Sequence, residues 1–266
     1  MEVTPAIRLL PFAEADGATN MAADEAMLET ASELGVASLR FYTWSEPTLS
    51  LGYFQPMSCR AGAENPLVPE LRALPWLRRS TGGAAIVHHH ELTYAFALPA
   101  GKIWHSRESW ICRFHHLLRD ILAEAGVAAR AVECGEERKL GEVLCFLHQT
   151  PGDLLIDGSK VAGSAQRKRK GALLQHGSIL LSRSEFARML PGINDMITSP
   201  QRQQGHPYPS LTLRAGKSEL FTPQVLAELL AARFSTDPGG WTAEEILRIA
   251  AIREEKYANA EWNEKR

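Results

Sequence analysis

The 266-residue chain is 45% hydrophobic and 23% charged, with a formal net charge of −2 at pH 7. The apolar share supports a sizeable core in one large domain, or in one domain with a small appendage. The near-neutral balance excludes a broadly basic nucleic-acid-binding face and the composition of a disordered chain.

Residues 6–12 (AIRLLPF) predict a short strand. A helix follows from Asn20 (NMAADEAMLETASE), with Asn20 or Thr19 as cap, Asp24 and Glu25 suited to its positive end, and Gly35 as its stop. The runs 38–44 and 48–54, separated by Ser45-Glu46-Pro47, predict a hairpin. Residues 55–76 read as irregular, and strands resume at 84–88 and 92–99. Residues 107–126 fit a helix with Trp110, Phe114, Leu117, Leu118 and Ile121 on one face. The passage ECGEERKLGE (133–142) reads as a loop. DLLID, SKVAGSAQ and ALLQHGSILL then read as successive strands, with Asp157-Gly158 as a tight turn. Two more helices are expected at 223–234 and 242–257, on either side of Pro238-Gly239-Gly240. Consecutive strands with helices at the ends predict an α+β fold, a largely antiparallel sheet flanked by helices.

Cys59, Cys112, Cys134 and Cys145 form no C-x-x-C pair, and are read as reduced thiols in a cytoplasmic protein. The first twenty residues lack the features of a signal peptide. No apolar stretch reaches the roughly eighteen residues of a membrane span, so no membrane partner is expected.

Several segments carry chemistry-bearing residues. In Arg78-Arg79-Ser80-Thr81-Gly82-Gly83, two arginines precede a diglycine turn. Glycines let a backbone approach a ligand, and arginine pairs with carboxylate or phosphate; a plain hairpin turn with solvated arginines explains the segment equally well. In His88-His89-His90, strand alternation would let only His88 and His90 share a site, and no spaced Cys/His set completes a metal centre. No metal is expected, while His88 is a candidate pocket residue. Ala215-Gly216-Lys217-Ser218 resembles the end of a phosphate-binding loop, but Leu211 stands where that loop needs glycine. The run Arg167-Lys168-Arg169-Lys170, expected between two strands, reads as a solvated loop or a dock for an acidic protein. Cys145 alone looks like a buried cysteine and Lys160 alone like a surface lysine. Together they would matter, because a nearby ammonium lowers a thiol pKa and favours the nucleophilic thiolate.

In order along the chain stand Asn20-Met21-Ala22-Ala23-Asp24-Glu25-Ala26, Leu49-Ser50-Leu51-Gly52, the Arg78–Gly83 segment, His88, and Glu91-Leu92-Thr93-Tyr94. They are followed by Gly158-Ser159-Lys160-Val161-Ala162-Gly163-Ser164-Ala165-Gln166, Gln175-His176-Gly177-Ser178, and an ending with Lys256-Tyr257 and Glu261-Trp262-Asn263. This ordered set resembles the biotin/lipoate protein ligase superfamily, and within it the cysteine-dependent octanoyltransferases. The resemblance implies a catalytic domain over residues 1–220, with 221–266 as a helical C-terminal extension packed on it. It implies Cys145 as nucleophile and Lys160 beside it. Arg78, Gly82, Gly83, His88, Gly163, Ser164, His176 and Gly177 would bind substrate.

Two positions depart from the pattern. His89 stands where the family has aspartate, and Pro151-Gly152-Asp153-Leu154 stands where it has a Tyr-Glu pair. The implied reaction moves octanoyl from acyl carrier protein to a lysine of the glycine cleavage H protein or an E2 lipoyl domain. It needs no cofactor, and the apolar tunnel is expected from Leu51, Val87, Tyr94, Phe96 and Leu154. Three other readings compete. One is an ATP- and Mg-dependent lipoate–protein ligase, one a lipoyl amidotransferase between carrier domains, and one a non-catalytic lipoyl-binding module.

Overall fold

The computed structural model describes residues 6–61, 71–101, 104, 108–198 and 221–265. In chain order the elements are β1 (Ile7–Leu9), β2 (Ala13–Ala15), α1 (Gly17–Leu34), β3 (Ser38–Trp44), β4 (Thr48–Leu51), the single turn α2 (Ser58–Ala61), β5 (Trp76–Arg78), β6 (Ile86–His88) and β7 (Glu91–Leu98). Then come α3 (Trp110–Glu124), β8 (Arg130–Ala131), β9 (Arg138–Lys139), β10 (His148–Gln149), β11 (Leu154–Ile156), β12 (Ser159–Arg169), β13 (Ala172–Leu180), α4 (Ile193–Thr198), α5 (Pro223–Ala231), β14 (Thr236–Pro238), α6 (Ala243–Ile252) and α7 (Ala260–Glu264).

The main sheet runs β14-β1-β3-β7-β13-β12-β11-β8, with β2 also on β3. From β3 through β8 every pairing is antiparallel, whereas β14, β1 and β2 add parallel contacts at one edge. Both faces are covered. Along β7, Tyr94 and Phe96 point into a cluster with Phe114, Leu118 and Ile121 of α3. Ala95 and Ala97 point into a second with Met21, Met27 and Leu28 of α1. The alternation is the period-two rule of a strand, here buried on both sides. The small sheet β5-β4-β6 holds a third cluster with Leu49, Leu51, Leu74, Val87 and Leu144.

The hairpin expected from 38–44 and 48–54 does not form. β3 joins the main sheet and β4 the small one. The linker supplies no glycine or asparagine for the left-handed positions of a tight hairpin turn, and Pro47 contributes no N–H. In contrast Asp157 (φ 47°) and Gly158 (φ 80°) make the anticipated tight turn between β11 and β12. Helix α1 begins three residues before Asn20, and its cap is Asp16, which accepts from the Thr19 N–H at 2.8 Å. Asp24 and Glu25 therefore lie inside the helix and are buried, not placed at its positive end. The helix expected over 107–126 runs from Ser109, its cap, to Glu124. The loop at 133–142 contains the short strand β9, paired with β10. The basic run 167–170 lies mostly on β12: Arg167 and Arg169 reach back to Glu25 and Glu29 of α1.

The boundary expected at 220/221 adjoins residues 199–220, which lie outside the described residues, as does the 215–218 segment. Beyond it, β14 completes the edge of the main sheet, and α6 packs on α1. Arg8 of β1 donates to both carboxylate oxygens of Glu245 on α6, at 2.7 and 2.9 Å. Burial by itself would raise the Glu245 carboxyl. The Arg8 hydrogen bond, the Thr242 N–H and the Thr30 hydroxyl outweigh it, and the carboxyl falls from 4.5 to about 2. A depressed carboxyl contributes stability above its unfolded value and loses it as pH falls through the folded one. Glu245→Gln is therefore expected to lower the urea midpoint at pH 6, with the gap to the native protein closing between about pH 4.5 and 2. A gap that persists unchanged at pH 2 would refute the assignment.

Candidate active site

A small pocket, about 50 Å³ in volume, opens beside Cys145. Strands β7, β12 and β13 supply its floor through Thr93, Gly163, Ala165, His176 and Ser178. Met21 and Tyr42 enter from the α1 side, and Arg79, Gly82 and Gly83 form a wall.

Cys145 opens a short 3-10 turn, Cys145–Leu147, and is half-buried. Its N–H donates to Ala85 O at 2.7 Å, which ties the turn to the start of β6. Lys160, near the start of β12, is buried with its ammonium 3.7 Å from the Cys145 sulfur. The same nitrogen lies 2.7 Å from Asp153 Oδ2, 3.0 Å from His148 O and 3.4 Å from Cys145 O. Asp153 is itself fixed by the Thr150 N–H and hydroxyl, at 2.7 and 3.0 Å. Lys160 thus stands behind the thiol, outside the pocket lining, as an immobilised cation. Gly163 makes room for it: a Cβ there would come within 2.5 Å of Lys160 Cε and 2.9 Å of Nζ.

Two histidine–carboxylate pairs flank the pocket. His88 Nδ1 donates to Glu91 Oε1 at 2.7 Å, and its Nε2 meets Ser50 Oγ at 2.7 Å. Burial lowers the His88 pKa, against the opposing pull of Glu91, and its ring stacks on Trp44 at 3.7 Å. His176 Nδ1 donates to Asp24 Oδ2 at 2.9 Å, and Nε2 meets Thr81 Oγ1 at 2.7 Å. Asp24 also takes the Arg40 guanidinium at 3.1 Å and the Tyr42 hydroxyl at 2.9 Å.

Of the two arginines, Arg79 lines the pocket. Arg78 is wholly buried away from it, donating to Asn263, Gly52 and Gln55 and so tying the C-terminal segment to β5. Arg79 donates to Ser50, Gly82 and Ala84. Burial lowers it to about 10, against the charges of Cys145 and Glu91. Gly82, Gly83, His88, Gly163, Ser164, His176 and Gly177 all line the pocket with Cys145. Ser164 Oγ is further engaged by Tyr94 and His115, at 2.7 and 2.8 Å.

None of the residues expected for an apolar tunnel is among those lining this pocket. Leu51 and Val87 belong to the core of the small sheet, and Tyr94, Phe96 and Leu154 to the α3 cluster. Apolar lining comes instead from Met21, Tyr42, Ile86 and Phe146. The reason is alternation: Thr93 and Ile86, one position before the expected residues, face the pocket. The triple histidine also departs from strand alternation. His89 and His90 occupy the bend after β6, so their rings stack at 3.6 Å, and their ligand atoms and those of Glu185 lie within 4.8 Å of one another at the surface. Reasoning from sequence missed Arg79, Tyr42, Asp24 and Glu91 as site groups. The available signal was two acids in the middle of an alanine-rich, otherwise apolar helical run.

Residues 16–225 match the family model of the lipoyl protein ligase A/B catalytic domain. The chain is 31% identical to octanoyltransferase LipM of Brevibacillus brevis, over 94% of this chain and 95% of that protein. It is 33% identical to octanoyltransferase LipM of Moorella thermoacetica, over 97% and 98%. Among solved structures it resembles a lipoate-protein ligase A bound with ATP (TM-score 0.70, 20% identity, 98% of this chain and 99% of that one). It also resembles a putative lipoate protein ligase from T. acidophilum (TM-score 0.67, 19% identity, 98% and 100%). At those identities the structures bear on the fold, which is the mixed α+β architecture described above.

Proposed function

The chain belongs to the lipoyl protein ligase A/B catalytic-domain family, and from that premise we infer how this octanoyltransferase of lipoate biosynthesis works. Cys145 thiolate attacks the thioester of octanoyl-acyl carrier protein and expels the carrier thiol. A lysine amine of an acceptor, the glycine cleavage H protein or an E2 lipoyl domain, then attacks acyl-Cys145 and yields the amide. Both steps start from an activated thioester, so no ATP or metal is needed. The partners and the cytoplasmic setting belong to the same reading. No helix among the described residues is long and apolar enough to cross a membrane.

The observation that carries this reading is the arrangement of half-buried Cys145 with the buried Lys160–Asp153 pair. A nucleophile beside a cation that a third group holds in place follows the general logic of activated nucleophiles. It also bears on the ligase alternative. The Lys160 ammonium faces Asp153, two carbonyls and the Cys145 sulfur, which leaves it committed to the protein and not to a substrate carboxylate.

Mixing the protein with octanoyl-acyl carrier protein in the absence of ATP should give an octanoyl adduct on Cys145, visible by intact mass and removed by hydroxylamine. No adduct, together with lipoate-driven ATP–pyrophosphate exchange, would replace this reading with the ligase. Gly163→Ala should displace Lys160 and slow turnover about 100-fold, the usual cost of misplacing a site group by about 1 Å. Steady-state rates for that variant within threefold of native would sink the clamp.

A further inference from the structure

Strand alternation would hold neighbouring histidines on opposite faces. The chain bends at His89 and His90, however, and their rings come together, stacked at 3.6 Å. Glu185 joins them from the short turn Glu185–Ala187, so that one ligand atom from each of the three residues lies within 4.8 Å of the others. His89 Nδ1 and Glu185 Oε2 are 3.4 Å apart. That separation matches the edge of a tetrahedron whose bonds to a central ion measure about 2.0–2.1 Å, the usual length from zinc to imidazole nitrogen or carboxylate oxygen.

We propose that His89, His90 and Glu185 bind a divalent cation of the zinc class at the surface, apart from the acyl chemistry. None of the three lines the Cys145 pocket. The donor set selects the ion. Two imidazole nitrogens and one carboxylate oxygen suit Zn²⁺ and its transition-metal neighbours, whereas Mg²⁺ and Ca²⁺ take oxygen ligands. Three protein ligands leave a fourth position for water.

The backbones that carry the ligands are fixed before an ion arrives. His90 O accepts the Leu181 and Ser182 N–H groups at 3.0 and 3.1 Å. Ser184 caps the Glu185 turn by accepting the Phe186 N–H at 3.2 Å, and Ala187 of that turn is buried. The same Ser184 Oγ lies 3.1 Å from His89 Nδ1 and orients the ring. His90 and Glu185 are exposed, so their side chains can close the remaining distance without moving core atoms. Charge favours a cation here. Glu185 pairs with His89 and, among the described residues, with no lysine or arginine. His89 and His90 also line a surface cavity of about 410 Å³ shared with Glu14, Glu46 and Glu91, which gives the ion an entry path past acidic groups.

The test titrates Co²⁺ into the reduced full chain, follows its visible absorption, and then adds Zn²⁺ as competitor. The four free cysteines are the rival ligands, and a thiolate-to-cobalt charge-transfer band would reveal them. The native protein is expected to bind one equivalent of Co²⁺ without that band and to release it to Zn²⁺. His90→Ala and Glu185→Gln should each weaken binding by about tenfold or more, since even the loss of a group that merely supports a ligand has that effect. Both variants should keep the native urea midpoint without metal, because both side chains are exposed. Native affinity in both variants overturns the proposal. So does a thiolate band that accompanies the binding, which places the ion on cysteine, and so does the absence of Co²⁺ and Zn²⁺ binding by the native chain at millimolar metal.

Discussion

Cys145→Ala should lower octanoyl transfer by about a thousandfold or more while leaving the fold intact. The nucleophile is the one group without which neither thioester attack nor acyl-enzyme formation proceeds, and loss of such a group commonly leaves only the rate owed to binding and electrostatics. The substitution is structurally mild. The Cys145 backbone still donates to Ala85 O, and the hydrophobic anchors of the turn are its neighbours Leu144 and Phe146, not Cys145. Thermal unfolding should therefore move by no more than a few degrees, which separates lost chemistry from lost structure. The measurement is the initial rate of amide formation on an apo lipoyl domain, with intact mass as companion. Near-native turnover by Cys145→Ala would remove the thioester mechanism, because Cys59, Cys112 and Cys134 lie outside the pocket lining.

The main sheet was legible because its pattern is local. The runs at 38–44 and 92–99 each announce a strand, 154–180 announces three in succession, and Asp157-Gly158 fixes the turn between the first two of these with backbone chemistry alone. What local pattern cannot supply is the partner across the fold. Arg78 and Arg79 are neighbours of equal chemistry. The end of β5 turns the first into the C-terminal segment and the second into the pocket, a choice set by Asn263 far away in sequence. Asp24 looks like a residue at a helix start until Arg40, Tyr42 and His176 close around it. Tyr94 and Val87, expected in the tunnel, miss this pocket's lining by one position for a related reason. In a sheet buried on both faces, apolar character no longer marks the side that faces the site, so Tyr94 and Phe96 are as hydrophobic as expected and point the other way. Cys145 and Lys160 were named from the family resemblance, but Asp153, which fixes the lysine, was visible only as a departure from its pattern.

That aspartate makes Lys160 the more demanding prediction. Lys160→Met removes the cation beside the sulfur and leaves the Asp153 carboxylate buried with Thr150 as its donor among the described residues, so one change carries two costs. Breaking a buried pair from one side costs about 3–5 kcal/mol, and the Thr150 donors place this case toward the lower figure. Removing a preorganised charge-stabilising group lowers turnover by about 100–1,000-fold. The two effects separate in a double variant. Lys160→Met with Asp153→Asn leaves no unpaired charge and keeps an acceptor for Thr150, so its urea midpoint should recover most of the loss, as coupled neighbours do in a double-mutant cycle. Its turnover should stay as low as that of the single variant, because the field at Cys145 is still missing. If activity returned along with stability, Lys160 would be a packing and pairing residue, and activation of Cys145 would have to come from Arg79, the other buried cation whose charge is felt at that cysteine.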